Sequence, residues 1–383
     1  AAEQGLAEAQ FSLGDIFVNG VVAKKNYELA YDWYFLAAER GDVKAQFNLG
    51  LMCQNGMGVK QNYEIAVEWF TLSAEQGHAS AQDNLGRRYN NGEGVEQNHE
   101  TSAKWYSLAA EQGLANAQHN LGNRYANGKG VEQNDELAAK WYSLAAEQGH
   151  AGAQYNLGRC WRDGKGIEQS YEIAATWFSL AAEQGLAEAQ FQLGQTYHHG
   201  DGVSQNDEVA AKWYALAAAQ GYSNAQYSMG VLYEYGMGGM PESHQTAVKW
   251  YTLAGEQGHV NAQYNLGLIY EFGKGVEQNY EKAVKWYTLS AEQGFASAQY
   301  NLGVMYNDER CVPRARSNDA TAVKWYTLAA EQGHAEAQWN LGIMYEWGDG
   351  VEISYKEAVK WFTKAAEKGH AKAQLHLENE GYI

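Results

Sequence analysis

Few residues of this 383-residue chain carry groups able to react or bind a ligand, and their spacing excludes most chemistry. His198 and His199 are adjacent but lack a third ligand at metal spacing, so no zinc site is expected. His78, His150, His259, His334 and His370 each follow a glycine at one recurring position, which makes them a structural column and not a ligand set. Cys53, Cys160 and Cys311 lie far apart, cannot all pair with one another and form no CxxC, so they give neither a disulfide framework nor a metal site. They leave the redox compartment open. Turns such as Gly56-Met57-Gly58 lack the Lys-Ser/Thr and the strand of a phosphate loop. No Ser-x-x-Lys, Lys-Thr-Gly, His-Glu-x-x-His or Gly-x-Ser-x-Gly occurs, so no activated nucleophile is expected. No catalytic residue, metal or cofactor is expected.

Arginine is distributed differently. Five of the nine arginines, Arg87, Arg88, Arg124, Arg159 and Arg162, fall within 76 consecutive residues; Asp83 precedes them, and Asn90, His119, Asn123 and Tyr155 are interleaved with them. Guanidinium groups suit bidentate recognition of carboxylate or phosphate. Two readings stand: a positive pocket, or arginines that pair with neighbouring acids on a solvated face. The chain as a whole carries 28 basic and 46 acidic residues, a net charge of −18, which argues against a general nucleic-acid binder and disfavours an anionic membrane surface. No apolar run reaches the roughly 20 residues needed to span a bilayer. Hydrophobic residues make up 45% and prolines number 2, so the chain folds. At this length it is either multi-domain or an elongated array.

What positions these residues is a repeat. A Leu-Gly or Met-Gly step ends at Gly14, Gly50, Gly86, Gly122, Gly158, Gly194, Gly230, Gly267, Gly303 and Gly342, at intervals of 36 six times, then 37, 36 and 39. Ten of the 13 tryptophans keep the same beat, from Trp33 to Trp361, and Pro241 and Pro313 fall in the two lengthened linkers. Within one unit, Ala45, Leu49 and Cys53 form the apolar stripe of a short first helix, and Gly50 implies close approach of a neighbouring helix. Gly56 to Val59 breaks the chain. Asn62, like Asn98, Asn134, Ser170 and Asn279, caps a second helix that carries Ala66, Trp69 and Ala74 inward and ends at Gly77. Such a hairpin is too small to hide its own apolar faces, so neighbours must stack into an all-α solenoid.

The motif Ala-Gln-x-x-Leu-Gly-x-x-Tyr, Gly-x-Gly-Val, Ala-x-x-Trp and Ala-Ala-Glu-Gln-Gly runs through Ala117-Gln118, Leu121-Gly122, Tyr125, Gly128 to Val131, Ala138, Trp141 and Ala145 to Gly149. It resembles the Sel1-like repeats, relatives of the tetratricopeptide class. The resemblance covers essentially all of the chain and implies a right-handed α/α superhelix of hairpins of about 36 residues, one array over residues 1–383. Residues 1–5 read as the tail of a preceding unit and 370–383 as a polar closing helix. The segments Gly20 to Ala23 and Asn307 to Asp319 depart from the pattern, and Glu309 to Ser317 reads as an insertion tolerated at a unit junction. The resemblance further implies an adaptor or scaffold, with bacterial periplasmic or secreted members. The chain lacks the paired cysteines of its cysteine-rich relatives.

Function is sought where the units differ. Lys44, Phe47, Leu51, Gln54 and Asn55 share one face of the first helix, and by analogy with tetratricopeptide proteins this face lines a concave groove. In the later units the same face offers Tyr227, Tyr264, Tyr300 and Trp339 in one column, Ile343 with Val231, Leu268 and Val304 in the next, and Tyr235, Phe272 and Trp347 in a third. Either all three columns form an exposed apolar strip for a partner, or the tyrosines pack between adjacent first helices. The partner-binding residues expected are these aromatics with Ile343, and in the earlier units Arg87, Arg88, His119, Asn123, Arg124, Tyr155, Arg159 and Arg162. The expected function is a non-enzymatic scaffold that receives a protein or peptide segment, its acidic group held by arginine. A β-lactamase-like hydrolase, suggested by the cysteine-rich relatives, and a self-assembling spacer are the alternatives.

Overall fold

The computed structural model describes residues 2, 6–20, 24–308 and 316–380. Cys311, Pro313 and most of the irregular 309–317 segment lie outside them, as do residues 1, 3–5 and 21–23. The described residues form 21 α-helices and no strand. They alternate as ten hairpins of a first and a second helix, followed by a closing helix, Ala371–Asn379. Contacts divide the chain into two compact units, Ala1–Ala189 with Asp201–Val203, and Gln190–Gly200 with Ser204–Ile383.

Repeat 2 shows how the sequence makes a hairpin. Asp42 Oδ1 accepts from the backbone N–H of Ala45 at 2.8 Å and opens the first helix, Val43–Asn55. Gly56 ends it with φ +69°, the left-handed conformation glycine adopts without penalty. Two residues on, Gly58 also has positive φ, and a Cβ there would lie 2.2 Å from the carbonyl oxygen of Tyr27, so the loop is pressed against the start of the preceding repeat's second helix. Asn62 then caps the second helix, Tyr63–Glu75, accepting from Glu64 and Ile65, a bond type that contributes about 1 kcal/mol.

The glycine of the Leu-Gly step marks a contact between the two helices of one hairpin. A Cβ on Gly50 would sit 2.5 Å from the ring of Phe70. The inward aromatic is therefore Phe70, fully buried, and not Trp69. Trp69 is half-buried and packs back on the cluster around Tyr34 and Leu49, tying its own hairpin to the one before. Tyr251, Tyr287 and Tyr326 repeat the position of Phe70.

Hairpins are joined by glutamine. Gln46 is buried on the first helix of repeat 2; its Nε2 donates to the carbonyl of Ala38 in repeat 1, and its Oε1 accepts from Gln76 Nε2 at 2.7 Å. Gln82 with Gln112, Gln118 with Gln148, Gln263 with Gln293 and Gln299 with Gln332 make the same bond. Each buried amide thus has both ends satisfied, which an apolar interior demands.

Candidate partner-binding face

On the first helices, the column that includes Phe47 is half-buried in every repeat, and in repeats 7 to 10 its aromatics are sandwiched. Tyr227 stacks on His259 with ring centroids 4.6 Å apart and leans on Tyr251 at 5.7 Å. Tyr264 does the same with Phe295 and Tyr287, Tyr300 with His334 and Tyr326, and Trp339 with His370 and Phe362. This column seals the seam between one hairpin and the next, so the strip is narrower than three exposed columns. Val231, Leu268, Val304 and Ile343 are half-buried beside it. The third column is open to solvent: Tyr235 is 64% exposed, Phe272 61% and Trp347 71%. In repeats 2 to 4 that position holds Asn55, Asn91 and Asn127.

The histidines beneath the column have a local task. His78, His150, His259 and His334 each accept, at Nδ1, the backbone N–H of the residue three positions on, and so cap the next first helix. An imidazole using Nδ1 as an acceptor is neutral with its proton on Nε2. Burial accordingly holds all four below the ordinary histidine range. In His119, burial and then the neighbouring His150 push the value down to about 4; the two rings stack at 4.6 Å.

The arginine-rich segment breaks up into different environments. Arg88 is a correction: it is 3% exposed, lies over the Tyr63 ring and pairs with Glu93, so it presents nothing to a partner. The reason is geometric, since one position beyond Arg87 on a helix the side chain turns toward the hairpin interior, where Met52 sits in repeat 2. Arg124 donates to Asn90 Oδ1 at 2.6 Å. Arg162 clamps Asp163 through two bonds, of 2.7 and 3.1 Å. Arg87 is exposed and reaches Asn84 Oδ1 at 3.1 Å.

Arg159 is exposed and stacks over the Tyr155 ring, 5.8 Å from its centroid. It overhangs a cleft of about 190 Å³ between repeats 4 and 5, which Asn123, Tyr142, Asn156, Asp135, Asp163 and Lys165 help to line. His119 and Asn123 are occupied within the protein. Asn156 bridges His119 Nε2 and Asn123 Oδ1, both at 3.1 Å, and Tyr142 donates to the same Asn123 oxygen at 2.7 Å. With two carboxylates near Arg159 and Lys165, the cleft is mixed in charge and not a positive pocket.

Sequence reasoning missed two functional features of the scaffold. One is the buried glutamine pair, whose signal was present as an Ala-Gln and a Glu-Gln-Gly in nearly every unit. The other is the hydroxyl of the inward tyrosine. It donates to Asp15 from Tyr34, to Glu234 from Tyr251 at 2.6 Å, and to Glu271 from Tyr287 at 2.5 Å. Burial raises Glu271, and the tyrosine bond only partly opposes it.

Among the described residues no group of three or more His, Cys, Asp or Glu could hold a metal ion, and no helix is long and apolar enough to cross a membrane. The family model described as Sel1 repeat matches ten consecutive segments, residues 7–42, 43–78, 79–114, 115–150, 151–186, 187–222, 223–259, 260–295, 296–334 and 335–370. No curated protein matches. Among solved structures, a protective antigen of uropathogenic Escherichia coli strains with an SLR fold is 39% identical, over 98% of this chain and 80% of that one, with a TM-score of 0.83. A Sel1 repeat protein from Oxalobacter formigenes is 31% identical, over 64% of this chain and 96% of that one, with a TM-score of 0.59.

Proposed function

This chain is a Sel1 repeat protein, built from ten such hairpins, and on that premise we propose that it is a non-enzymatic scaffold whose first-helix face receives a segment of another protein. Proteins of this family generally mediate protein–protein interaction. The observation that carries the reading is the row Tyr235, Phe272 and Trp347, large apolar side chains open to solvent where repeats 2 to 4 place asparagine. Scattered exposed hydrophobics need no explanation, but three large aromatics at one column position, in repeats 7, 8 and 10 with Asp308 at that position in repeat 9, suit anchors for a partner. In the earlier units Arg159 supplies an accessible guanidinium for an acidic side chain or terminal carboxylate.

Binding of a partner captured from the native host should weaken on Trp347→Ala and on Arg159→Ala while the fold is retained. Unchanged affinity in both variants overturns the proposal. A β-lactam reporter assay addresses the hydrolase alternative, where turnover above background would favour an enzyme. Mass that rises with concentration in light scattering, and falls on Trp347→Ser, would favour self-assembly instead.

A further inference from the structure

We propose that a pocket between the first helices of repeats 6 and 7, Ala187–His199 and Ser223–Tyr235, binds a carboxylate carried on a short apolar stem. The pocket encloses about 260 Å³. Tyr227, Val231, Leu232 and Met237 give it apolar walls, and Tyr214 from the second helix of repeat 6 lines it.

Tyr214, the inward tyrosine of its repeat, is 5% exposed. In repeats 1, 4, 7 and 8 the equivalent hydroxyl donates to an oxygen of its own hairpin: Asp15, Asn123, Glu234 or Glu271. In repeat 6 the positions that supply those acceptors hold Gln195 and His198. His198 lines the same pocket but is engaged by Asp207, its Nδ1 lying 2.7 Å from Asp207 Oδ1. The Tyr214 hydroxyl makes no hydrogen bond to any described residue. The hydroxyl therefore opens on the pocket with its donor uncommitted, and an acceptor brought by a ligand can take the place that a side chain of the hairpin fills in the sister repeats.

The remaining polar groups suit the same ligand. Gln195 and Ser228 line the pocket and likewise have no hydrogen bond to a described residue, so an amide N–H and a hydroxyl are free to donate alongside the phenol. The lining contains no carboxylate, unlike that of the cleft beside Arg159. A ligand carboxylate therefore takes the place that Glu234 and Glu271 fill in the next two repeats, and its stem lies on the apolar walls. A glutamate side chain of a partner and a free small acid share this chemistry. The pocket takes one small group, and its occupancy does not depend on the longer face proposed above.

The test uses the full chain and isothermal titration. 3-Phenylpropionate is compared with 3-phenylpropionamide, and acetyl-Leu-Glu-Leu-amide with acetyl-Leu-Gln-Leu-amide. The acid of at least one pair should bind about tenfold more tightly than its amide, and the pair that does so identifies a free or a peptide-borne source. Tyr214→Phe should lose about tenfold in that affinity with no fall in the unfolding midpoint, because its hydroxyl has no internal bond. Tyr287→Phe, the internally bonded sister, should lower the midpoint and leave binding intact. Ser228→Ala is the second variant should Tyr214→Phe fail to fold. Absence of binding, equal binding of acid and amide, or undiminished binding by both Tyr214→Phe and Ser228→Ala overturns the proposal.

Discussion

Gln46 Oε1 accepts from Gln76 Nε2 at 2.7 Å while Gln46 Nε2 donates to Ala38 of the preceding hairpin at 3.2 Å, so one buried amide joins three helices. The pairing changes at both ends of the array. In repeat 1, Arg40 stands where Gln76 does and donates to Gln10 Oε1 at 3.3 Å. In repeat 10 the position holds Lys368, and Gln338 Oε1 is buried with no partner among the described residues.

Lys368→Gln should therefore stabilise the protein by about 1 kcal/mol, by restoring the donor that the other repeats provide. The check is the urea midpoint of the variant against the parent. Gln76→Ala should act in the opposite direction by about 1–3 kcal/mol, since it strands the Oε1 of Gln46.

A methyl group at Gly267 would fall 2.3 Å from the ring of Tyr287. Gly267→Ala should cost about 1–3 kcal/mol through overpacking, despite alanine's better helix propensity. Tyr287→Leu in the same chain should recover part of that loss. A double-mutant cycle measured by denaturant unfolding reads the coupling directly.

Stability should fall as the solution is acidified through the histidine range. His119 has a folded-state value of about 4, and His78, His150, His259 and His334 are also depressed by burial. A depressed imidazole takes its proton in the unfolded chain first, so its contribution is complete above about pH 6.5 and drains away below it; for His119 the loss runs down to about pH 4. Replacing His119 by tyrosine, the residue its sister Tyr155 already uses, should flatten the pH 7 to pH 4.5 difference in unfolding midpoint relative to the parent.

Trp339 and Trp347 should separate packing from surface. Trp339→Ala removes contacts to Phe362, His370 and His376 and should cost about 3–5 kcal/mol. Trp347→Ala should change stability by no more than about 0.5 kcal/mol, because the side chain is 71% exposed. Thermal unfolding of the two variants compares them, and Trp347→Ala is consequently the cleaner probe of partner binding.

Cys53 and Cys160 are buried, and burial pushes the Cys160 thiol up to about 11. Neither should react with iodoacetamide at pH 8 in the folded protein, and both should react in denaturant. Peptide mass mapping of the two states measures this.

Much of the architecture was legible in the residues because a repeat states its rules ten times over. The Leu-Gly step required a close helix contact, and Asn62 and Gly56 marked a start and a stop, each through local backbone chemistry. That locality is also where legibility ended. Trp69 and Phe70 are adjacent and both apolar, and only the packed hairpin decides that Phe70 goes inward while Trp69 bridges to its neighbour. Arg87 and Arg88 differ in the same way: a 100° turn of helix buries one and exposes the other.

The sequence by itself determined the hairpin, its period, and the stacking that its uncovered faces require. The tertiary structure alone decided which side chains still meet water. The aromatic column from Tyr227 to Trp339 closes the seams between repeats, whereas Tyr235, Phe272 and Trp347 stand free. It also decided that the Tyr214 hydroxyl has no acceptor among the described residues, while His198 is engaged by Asp207. Periodicity specifies the face on which a residue lies, but burial and hydrogen bonding depend on what the neighbouring repeat brings against that face, and those partners stand 30 or more residues away in the chain, as Gln76 does from Gln46.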